Sequence, residues 1–277
     1  LVSADELQSW DAIFNPKFEG KIFMKDAFRD VYAPILMYLK QDEIASGSIT
    51  REELMYDASD ESIAMVEQYL IEGKELIAGW EADFGKEQMT KERAVLSLNW
   101  SGDAVWAIEE AAAVGVELRY TVPEEGSTVW FDGWVIPKYS QNTKAATYWI
   151  DFMCRPDIAI RNMDVTGYVA ANGAYEVLES QIDEEYEPID LTYFFGPQAD
   201  SVCVNPALYP DQAVIDRCAL EHDWGQDTDK LLEMWARVKG DNASSSTYIV
   251  IVIAILALAA AVIIPATNKK RRHGRRK

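Results

Sequence analysis

The chain has 277 residues, of which 49% are hydrophobic and 11% aromatic, enough for a sizeable core in one or two domains. Its net charge is −20, but seven of the 26 basic residues fall within positions 268–277, which leaves 19 basic and 46 acidic residues in 1–246, a net charge of −27. A domain this acidic repels phosphate, which excludes nucleic acid as a partner and favours the attraction of small cations.

Alternating helical and strand periods predict an α/β architecture without internal repeats. The expected elements, in chain order, are a strand at 21–25, a helix at 26–39, a helix at 62–79, a strand at 94–100, a helix from Asp103 to about 113, strands at 116–122 and 128–136, a helix at 143–154 and a further helix from Pro156. The turn 123–126 (Pro-Glu-Glu-Gly) separates the last two strands.

The C-terminal region has the pattern of a membrane anchor. We expect a polar linker at 241–247, an apolar transmembrane helix at 248–267 and a basic cytoplasmic tail at 268–277. By the positive-inside rule the acidic domain then lies outside the cytoplasmic membrane. The chain begins at Leu1 without Met or a signal sequence, so we expect it to be part of a longer polypeptide.

The cysteines and histidines offer little for catalysis. Three widely spaced cysteines form neither a zinc motif nor a disulfide framework, and whether Cys203 and Cys218 pair is left open. One of the two histidines, His273, belongs to the basic tail, so a Ser–His–Asp triad, a metal site and a cofactor site are not expected. An anchored hydrolase using Glu124 and Glu125 is disfavoured because adjacent carboxylates diverge instead of flanking a substrate.

Aromatic and acidic residues recur where the predicted strands end. Asp30 follows the first strand, Trp100 ends a later one, and Trp130 and Asp132 alternate onto one face of the 128–136 strand. Carboxylates and aromatic rings together suit an organic ammonium ion. The alternatives are that Asp30 complements a helix dipole, that the tryptophans are core residues, and that Asp103 is a helix cap.

A linked set of motifs resembles the spermidine/putrescine-binding proteins of bacterial ABC importers over residues 8–240. The matching stretches are Ser9-Trp10-Asp11, Lys21 to Met24, Asp26 to Asp30, Trp100 to Ala104, Pro123 to Gly126, Trp130 to Asp132, Ile136-Pro137, Phe152, Arg155 to Ala159, Gly167-Tyr168, Asn172, Leu208 to Pro210 and Asp223 to Gly225. The resemblance implies an α/β type II periplasmic-binding-protein fold, followed here by the one C-terminal transmembrane helix. It places the second lobe mainly at 15–122 and 205–240 and a first-lobe return at about 123–175, with the N-terminal part of the first lobe missing.

The resemblance also implies the ligand contacts, which are Asp30, Trp100, Trp130, Asp132, Tyr168 and Glu221. Ala27 stands where some spermidine binders have a second aspartate, so the choice between putrescine and spermidine is open and leans toward putrescine. The expected function is an extracytoplasmic polyamine-binding subunit that works with ABC permease subunits, and not an enzyme. The alternatives are a receptor for another small organic cation and an anchored sensory ectodomain.

Overall fold

The structure is a computed structural model that describes residues 1–82 and 84–240. Within these ranges the α-helices are α1 (Phe28–Leu39), α2 (Gln41–Ser46), α3 (Arg51–Met55), α4 (Asp60–Gly73), α5 (Gly85–Thr90), α6 (Ser101–Ala113), α7 (Thr143–Met153), α8 (Pro156–Thr166), α9 (Tyr175–Glu179), α10 (Thr192–Phe195), α11 (Gln212–Asp216) and α12 (Thr228–Gly240). The strands are β1 (Ile22–Lys25), β2 (Ile77–Glu81), β3 (Leu96–Ser97), β4 (Ser127–Val129), β5 (Pro188–Ile189), β6 (Val202–Cys203) and β7 (Cys218–Leu220).

Three small sheets organise these strands. The first is parallel in the order β2-β1-β3, β4 pairs with β7 in parallel, and β5 pairs with β6 in antiparallel fashion. Because the strands of the first sheet are parallel, their carboxyl ends meet at one edge. The helices that follow β1 and β3, α1 and α6, therefore begin beside one another.

The central strand and the helix after it form the main core. Ile22 and Met24 of β1 are fully buried, and α1 buries Val31, Ile35 and Leu36 completely. Full burial of such side chains stabilises the fold by roughly 1.5–3 kcal/mol each. A second buried cluster joins α8, α9, α10 and β6, with Val177, Leu178, Leu191 and Val204 at its centre.

Several expected elements are confirmed. The strand at 21–25, the helix at 26–39 and the helix at 143–154 match β1, α1 and α7 to within two residues, and α8 begins at Pro156. Pro156 suits the first turn of a helix because its missing N–H has no helical acceptor there. The α/β class is confirmed with them.

Other element predictions are wrong over part or all of their length. The helix expected at 62–79 forms but ends at Gly73, where a Cβ would overlap the Phe14 ring, and residues 77–81 instead pair with β1 as β2. No strand forms at 116–122, and the strand expected at 128–136 is only β4, which ends at Val129. The cap expected at Asp103 is also wrong, because Trp100 occupies the N-cap position of α6.

The transmembrane part of the predicted fold class needs correction. Among residues 1–82 and 84–240 no helix is long and apolar enough to cross a membrane. The expected linker, span and tail at 241–277 lie outside the described residues. The structure therefore supports an α/β architecture without a transmembrane helix in its described part.

The chain divides by its contacts into two units, Leu1–Leu231 and Leu232–Lys277. Within residues 1–82 and 84–240, the first unit holds the seven strands and the helices α1 to α11 together with the start of α12. Of the second unit, residues 232–240 are described and form the rest of α12. Cys154, Cys203 and Cys218 are all free, so the possible Cys203–Cys218 disulfide is not formed in this structure.

Candidate functional site

A cleft of about 1620 Å³ opens within the first unit. Five of the six residues expected at the site line it: Asp30, Trp100, Trp130, Asp132 and Tyr168. The sixth, Glu221, is not part of its wall. These five residues bring three large aromatic side chains and two carboxylates to a wall that also contains other aromatic residues and two further acids, Glu92 and Glu117.

A hydrogen bond joins Asp30 and Trp100 in the cleft wall. Asp30 lies in the first turn of α1, the helix after β1, and Trp100 occupies the N-cap position of α6, the helix after β3. Because β1 and β3 are adjacent parallel strands, the two residues meet at the same sheet edge. The indole Nε1 of Trp100 donates a hydrogen bond of 3.1 Å to Oδ1 of Asp30.

Trp130 stands next to Trp100. Their ring centroids are 6.4 Å apart and their planes cross at 69°, an edge-to-face arrangement of the kind that aromatic pairs prefer. Two indoles at this angle form a corner of electron-rich surface. Such a corner attracts both an ammonium group and the methylenes attached to it.

The prediction that strand alternation places Trp130 and Asp132 on one face is wrong. Both residues lie beyond the end of β4, so no strand places them on a common face. Asp132 is exposed, and the nearby Trp134 is 61% exposed and packs edge-on against Trp149. Asp132 nevertheless lines the same cleft as Trp130.

Tyr168 is packed on the backbone of helix α6. It follows Gly167, whose left-handed conformation (φ 72°) ends α8. A Cβ placed on Gly102 would lie 2.6 to 2.7 Å from three carbons of the Tyr168 ring, so only glycine leaves room for this contact. Burial is the main cause that raises the pKa of Tyr168, and the negative charge of Asp103 raises this pKa further. Tyr168 therefore stays a neutral phenol.

Glu221 lies behind the cleft wall. It follows β7, and its backbone N–H donates to the carbonyl of Val129, the residue before Trp130. Its carboxylate is 3.6 Å from Nη1 of Arg29. Glu221 therefore lies near Arg29 and Asp30 but is not one of the residues that line the cleft.

The carboxylates of Asp30 and Glu221 are both short of compensating charge. Burial raises the pKa of Asp30, and the Trp100 hydrogen bond and the charges of Lys25 and Arg29 oppose the rise without cancelling it. Burial also raises the pKa of Glu221, with the nearby Asp30 charge adding to it and Arg29 opposing it. Two such carboxylates gain from an added cation, because it favours the ionised form of both.

Sequence reasoning missed the charged group behind Trp100. Lys25, the last residue of β1, is 1% exposed, and its Nζ lies 4.1 Å from the centroid of a Trp100 ring. The same Nζ is 3.0 Å from Glu81 and 3.6 Å from Asp103. A lysine closing an apolar strand (Ile22-Phe23-Met24-Lys25) was the only signal, and it does not reveal partners that are far away in sequence.

Metal binding and paired-carboxylate catalysis find little support in the described residues. Across 1–82 and 84–240, no group of three or more His, Cys, Asp or Glu side chains is arranged to hold a metal ion. Glu124 is exposed, whereas Glu125 is buried and accepts a hydrogen bond from Ser9. The two carboxylates thus lie in different environments and do not face one another across the cleft.

A family model for bacterial extracellular solute-binding proteins matches residues 1–187. The chain belongs to this family, which consists of binding proteins that act outside the cytoplasm and is not a family of enzymes. The resemblance seen in the sequence is thereby confirmed.

The chain is similar to curated relatives that are named for the polyamines they bind. The chain is 23% identical over 238 residues to the spermidine/putrescine-binding periplasmic protein of Escherichia coli, covering 86% of this chain and 58% of the relative. It is 24% identical over 196 residues to the putrescine-binding periplasmic protein PotF of the same organism, covering 67% of this chain and 50% of the relative. The chain spans less than three fifths of the length of these relatives.

Solved structures show the same fold. The spermidine/putrescine ABC transporter substrate-binding protein PotD of Streptococcus pneumoniae superposes with a TM-score of 0.59 at 22% identity, covering 84% of this chain and 61% of that one. The Tp0655 lipoprotein of Treponema pallidum superposes with a TM-score of 0.58 at 15% identity, covering 83% and 61%. Identities this low establish the fold alone.

Proposed function

We propose that the protein binds a polyamine, putrescine or spermidine, outside the cytoplasm and delivers it to the permease subunits of an ABC importer. The observation that carries the proposal is the Asp30–Trp100–Trp130 corner of the cleft, where a carboxylate and two indoles converge. The names of the relatives favour the same ligand class.

Each residue of the site has a role in this proposal. The Asp30 carboxylate pairs with one ligand ammonium while Trp100 and Trp130 hold its methylenes and charge by cation–π and apolar contact. Asp132, exposed on the cleft wall, takes the second ammonium as the ligand enters, and Tyr168 closes the wall between them. Glu221 acts through Arg29 by adding negative potential behind Asp30.

The test is calorimetric titration of the intact protein with putrescine and with spermidine. Asp30→Asn keeps the shape of the side chain but removes one partner of a desolvated charge pair, which costs roughly 2–5 kcal/mol of binding free energy. The matched control is Asp151→Asn, the same chemical change at an exposed position of α7. An unchanged affinity in Asp30→Asn, or no polyamine binding by the unmodified protein, contradicts the proposal.

The same titration separates the other candidate ligands. A monovalent organic cation that binds more tightly than either polyamine identifies a receptor for another solute. Trp130→Phe keeps an aromatic face with a weaker quadrupole, so we expect a smaller loss than in Asp30→Asn, about 1 kcal/mol.

A further inference from the structure

The outer side of strand β3 has no partner strand. The first sheet has the order β2-β1-β3, so among the described residues β3 pairs with β1 on one side only. On that side the backbone N–H of Leu98 donates to the carbonyl of Phe23 at 3.1 Å. Successive backbone N–H groups of a strand point in opposite directions, so the N–H of Ser97 points away from β1. The outer side of β3 therefore offers unpaired backbone donors and acceptors.

Residues 116–122 are a second extended segment without a partner. Their sequence, Val-Glu-Leu-Arg-Tyr-Thr-Val, is rich in strand-forming residues, and half-buried and exposed positions alternate from Val116 to Tyr120. Within 1–82 and 84–240, however, the backbone N–H groups of 117–122 make no backbone hydrogen bond. Unpaired backbone groups of a partly buried segment cost free energy, so this segment gains from a partner strand.

Helix α6 connects β3 to residues 116–122. A strand, a helix and a second strand in this order form a unit in which the two strands are parallel members of one sheet. Here the two segments do not pair, and both line the cleft instead, as the unbroken runs 94–101 and 115–123 of its wall. In this arrangement the cleft lies between two backbone edges that each lack a partner. We call the space between residues 94–99 and 116–122 the strand slot.

The strand slot has apolar walls and acidic surroundings. Four apolar residues of the cleft wall belong to its two edges: Leu96, Leu98, Leu118 and Val122. Glu92 and Glu117 lie in the same wall, and residues 1–246 hold 19 basic against 46 acidic residues. Apolar side chains with basic residues at either end complement these surroundings.

We propose that the strand slot binds one extended polypeptide strand from a separate chain, apolar in its middle and basic at its ends. The bound strand forms backbone hydrogen bonds to β3 on one side and to residues 116–122 on the other. The slot lies before Trp100 in the chain, so it is distinct from the Asp30–Trp100–Trp130 corner. The inference does not rest on the proposed function, because it concerns backbone pairing and not an ammonium ligand.

The first experiment titrates a peptide into the intact protein by calorimetry. The probe is the acetylated and amidated peptide Lys-Thr-Val-Thr-Val-Thr-Val-Lys. The control peptide has the same side chains but carries N-methyl groups on its three valines, which removes the backbone donors along one edge. We expect the probe to bind and the control to bind about tenfold more weakly or less. Equal affinity for both peptides, or no binding of the probe, overturns the proposal.

The second experiment removes a backbone donor from the protein. Ser97→Pro deletes the outward N–H of β3, at a position where an edge strand tolerates proline. Ser97→Ala is the matched control, because both variants lose the hydroxyl that accepts from Nδ2 of Asn99 at 3.0 Å and only proline loses the N–H. We expect Ser97→Pro to bind the probe about tenfold more weakly than Ser97→Ala. Equal binding by the two variants overturns the pairing with β3.

A substitution in the other edge covers the case in which Ser97→Pro does not fold. Arg119→Pro lies in the unpaired segment 116–122, and Arg119→Ala is its control, since both lose the exposed pair with Glu117. Binding of the probe by Arg119→Pro as tight as by Arg119→Ala then overturns the proposal.

Sedimentation of the unmodified protein decides between a separate strand and a second copy of this chain. The open β3 edges of two copies offer the same backbone groups to one another. A dimer that Ser97→Pro converts to a monomer, and Ser97→Ala does not, identifies a second copy as the occupant and overturns the separate strand. A monomer that binds the probe supports the proposal.

Discussion

The contact between Gly102 and Tyr168 gives the sharpest test of how the cleft is held together. Gly102→Ala places a methyl group 2.6 to 2.7 Å from three carbons of the Tyr168 ring, where ordinary contacts are about 3.5–4.0 Å. The ring must move by about 1 Å, and overpacking of this kind costs roughly 1–3 kcal/mol. Gly102 is also the second residue of α6, where alanine gains roughly 0.5–1 kcal/mol over glycine.

The steric cost at the Tyr168 ring and the stabilisation of α6 by alanine affect different states of the protein. Without ligand, Tyr168 is half-buried and borders a second cavity of about 440 Å³ on its other side. The ring can therefore move into this cavity, and helix α6 keeps the stabilisation that alanine provides over glycine. With ligand, the ring must stay in the cleft wall, and the overlap weakens binding. We expect the Kd for putrescine in Gly102→Ala to rise about tenfold, equivalent to about 1.4 kcal/mol, while the ligand-free Tm changes by only a few degrees.

The assay is calorimetric titration combined with thermal unfolding, completed as a double-mutant cycle. In a Tyr168→Ala background the clash is absent, so Gly102→Ala should cost no further affinity and should stabilise the fold. Gly133→Ala is the control, because nothing lies within 4 Å of a Cβ at that position. A Gly102→Ala variant that is more stable and binds with unchanged affinity refutes the reasoning, since the ring would then play no part in binding.

Two further predictions concern pH. Burial raises the pKa values of Asp30 and Glu221, and a bound cation lowers them. Polyamine binding at about pH 5 should therefore release protons, so the calorimetric heat of binding should depend on the ionisation enthalpy of the buffer. Equal heats of binding in all buffers contradict this prediction. Burial alone would raise the pKa of Asp57, but hydrogen bonds from Ser62, Ser59 and Lys40 outweigh it and lower the pKa to about 2. The ionised Asp57 carboxylate therefore stabilises the fold above about pH 4, by about 1 kcal/mol after allowing for solvent screening. In urea unfolding, Asp57→Asn should lower the free energy of unfolding by this amount at pH 7. Near pH 2 the variant should differ little from the unmodified protein.

The strongly periodic parts of the chain were predictable from sequence alone. The apolar residues of Lys21 to Lys25 follow the two-residue period of a strand, and those of the next segment follow the 3.6-residue period of a helix. The apolar positions of both segments form the core. The meeting of Asp30 and Trp100 also followed from simple topology, because each lies at the start of a helix that follows a strand of the parallel sheet. Local pattern and tertiary structure agree at these places, so pattern was sufficient.

The failures share one physical cause, which is pairing between distant segments. Residues 77–81 continue the apolar pattern of α4, yet they form β2 because β1 offers a parallel partner and Gly73 must pack on Phe14. Beyond Val129, β4 has no partner, so the expected alternation of Trp130 with Asp132 does not take place. The Lys25–Glu81–Asp103 group joins three separate elements and has no local signature.

These contacts change how cation recognition in the cleft should be understood. The chain supplies its own cations to two carboxylates behind the cleft wall, Lys25 to Glu81 and Lys86 to Asp103. Asp30 instead accepts only the neutral indole N–H of Trp100 among its hydrogen-bond donors. A ligand ammonium therefore gains more at Asp30 than at Glu81 or Asp103, because at those two carboxylates it must displace a charge that is already paired. Selectivity among polyamines then depends less on how many acids surround the cleft than on which of them the protein has left without a cation of its own.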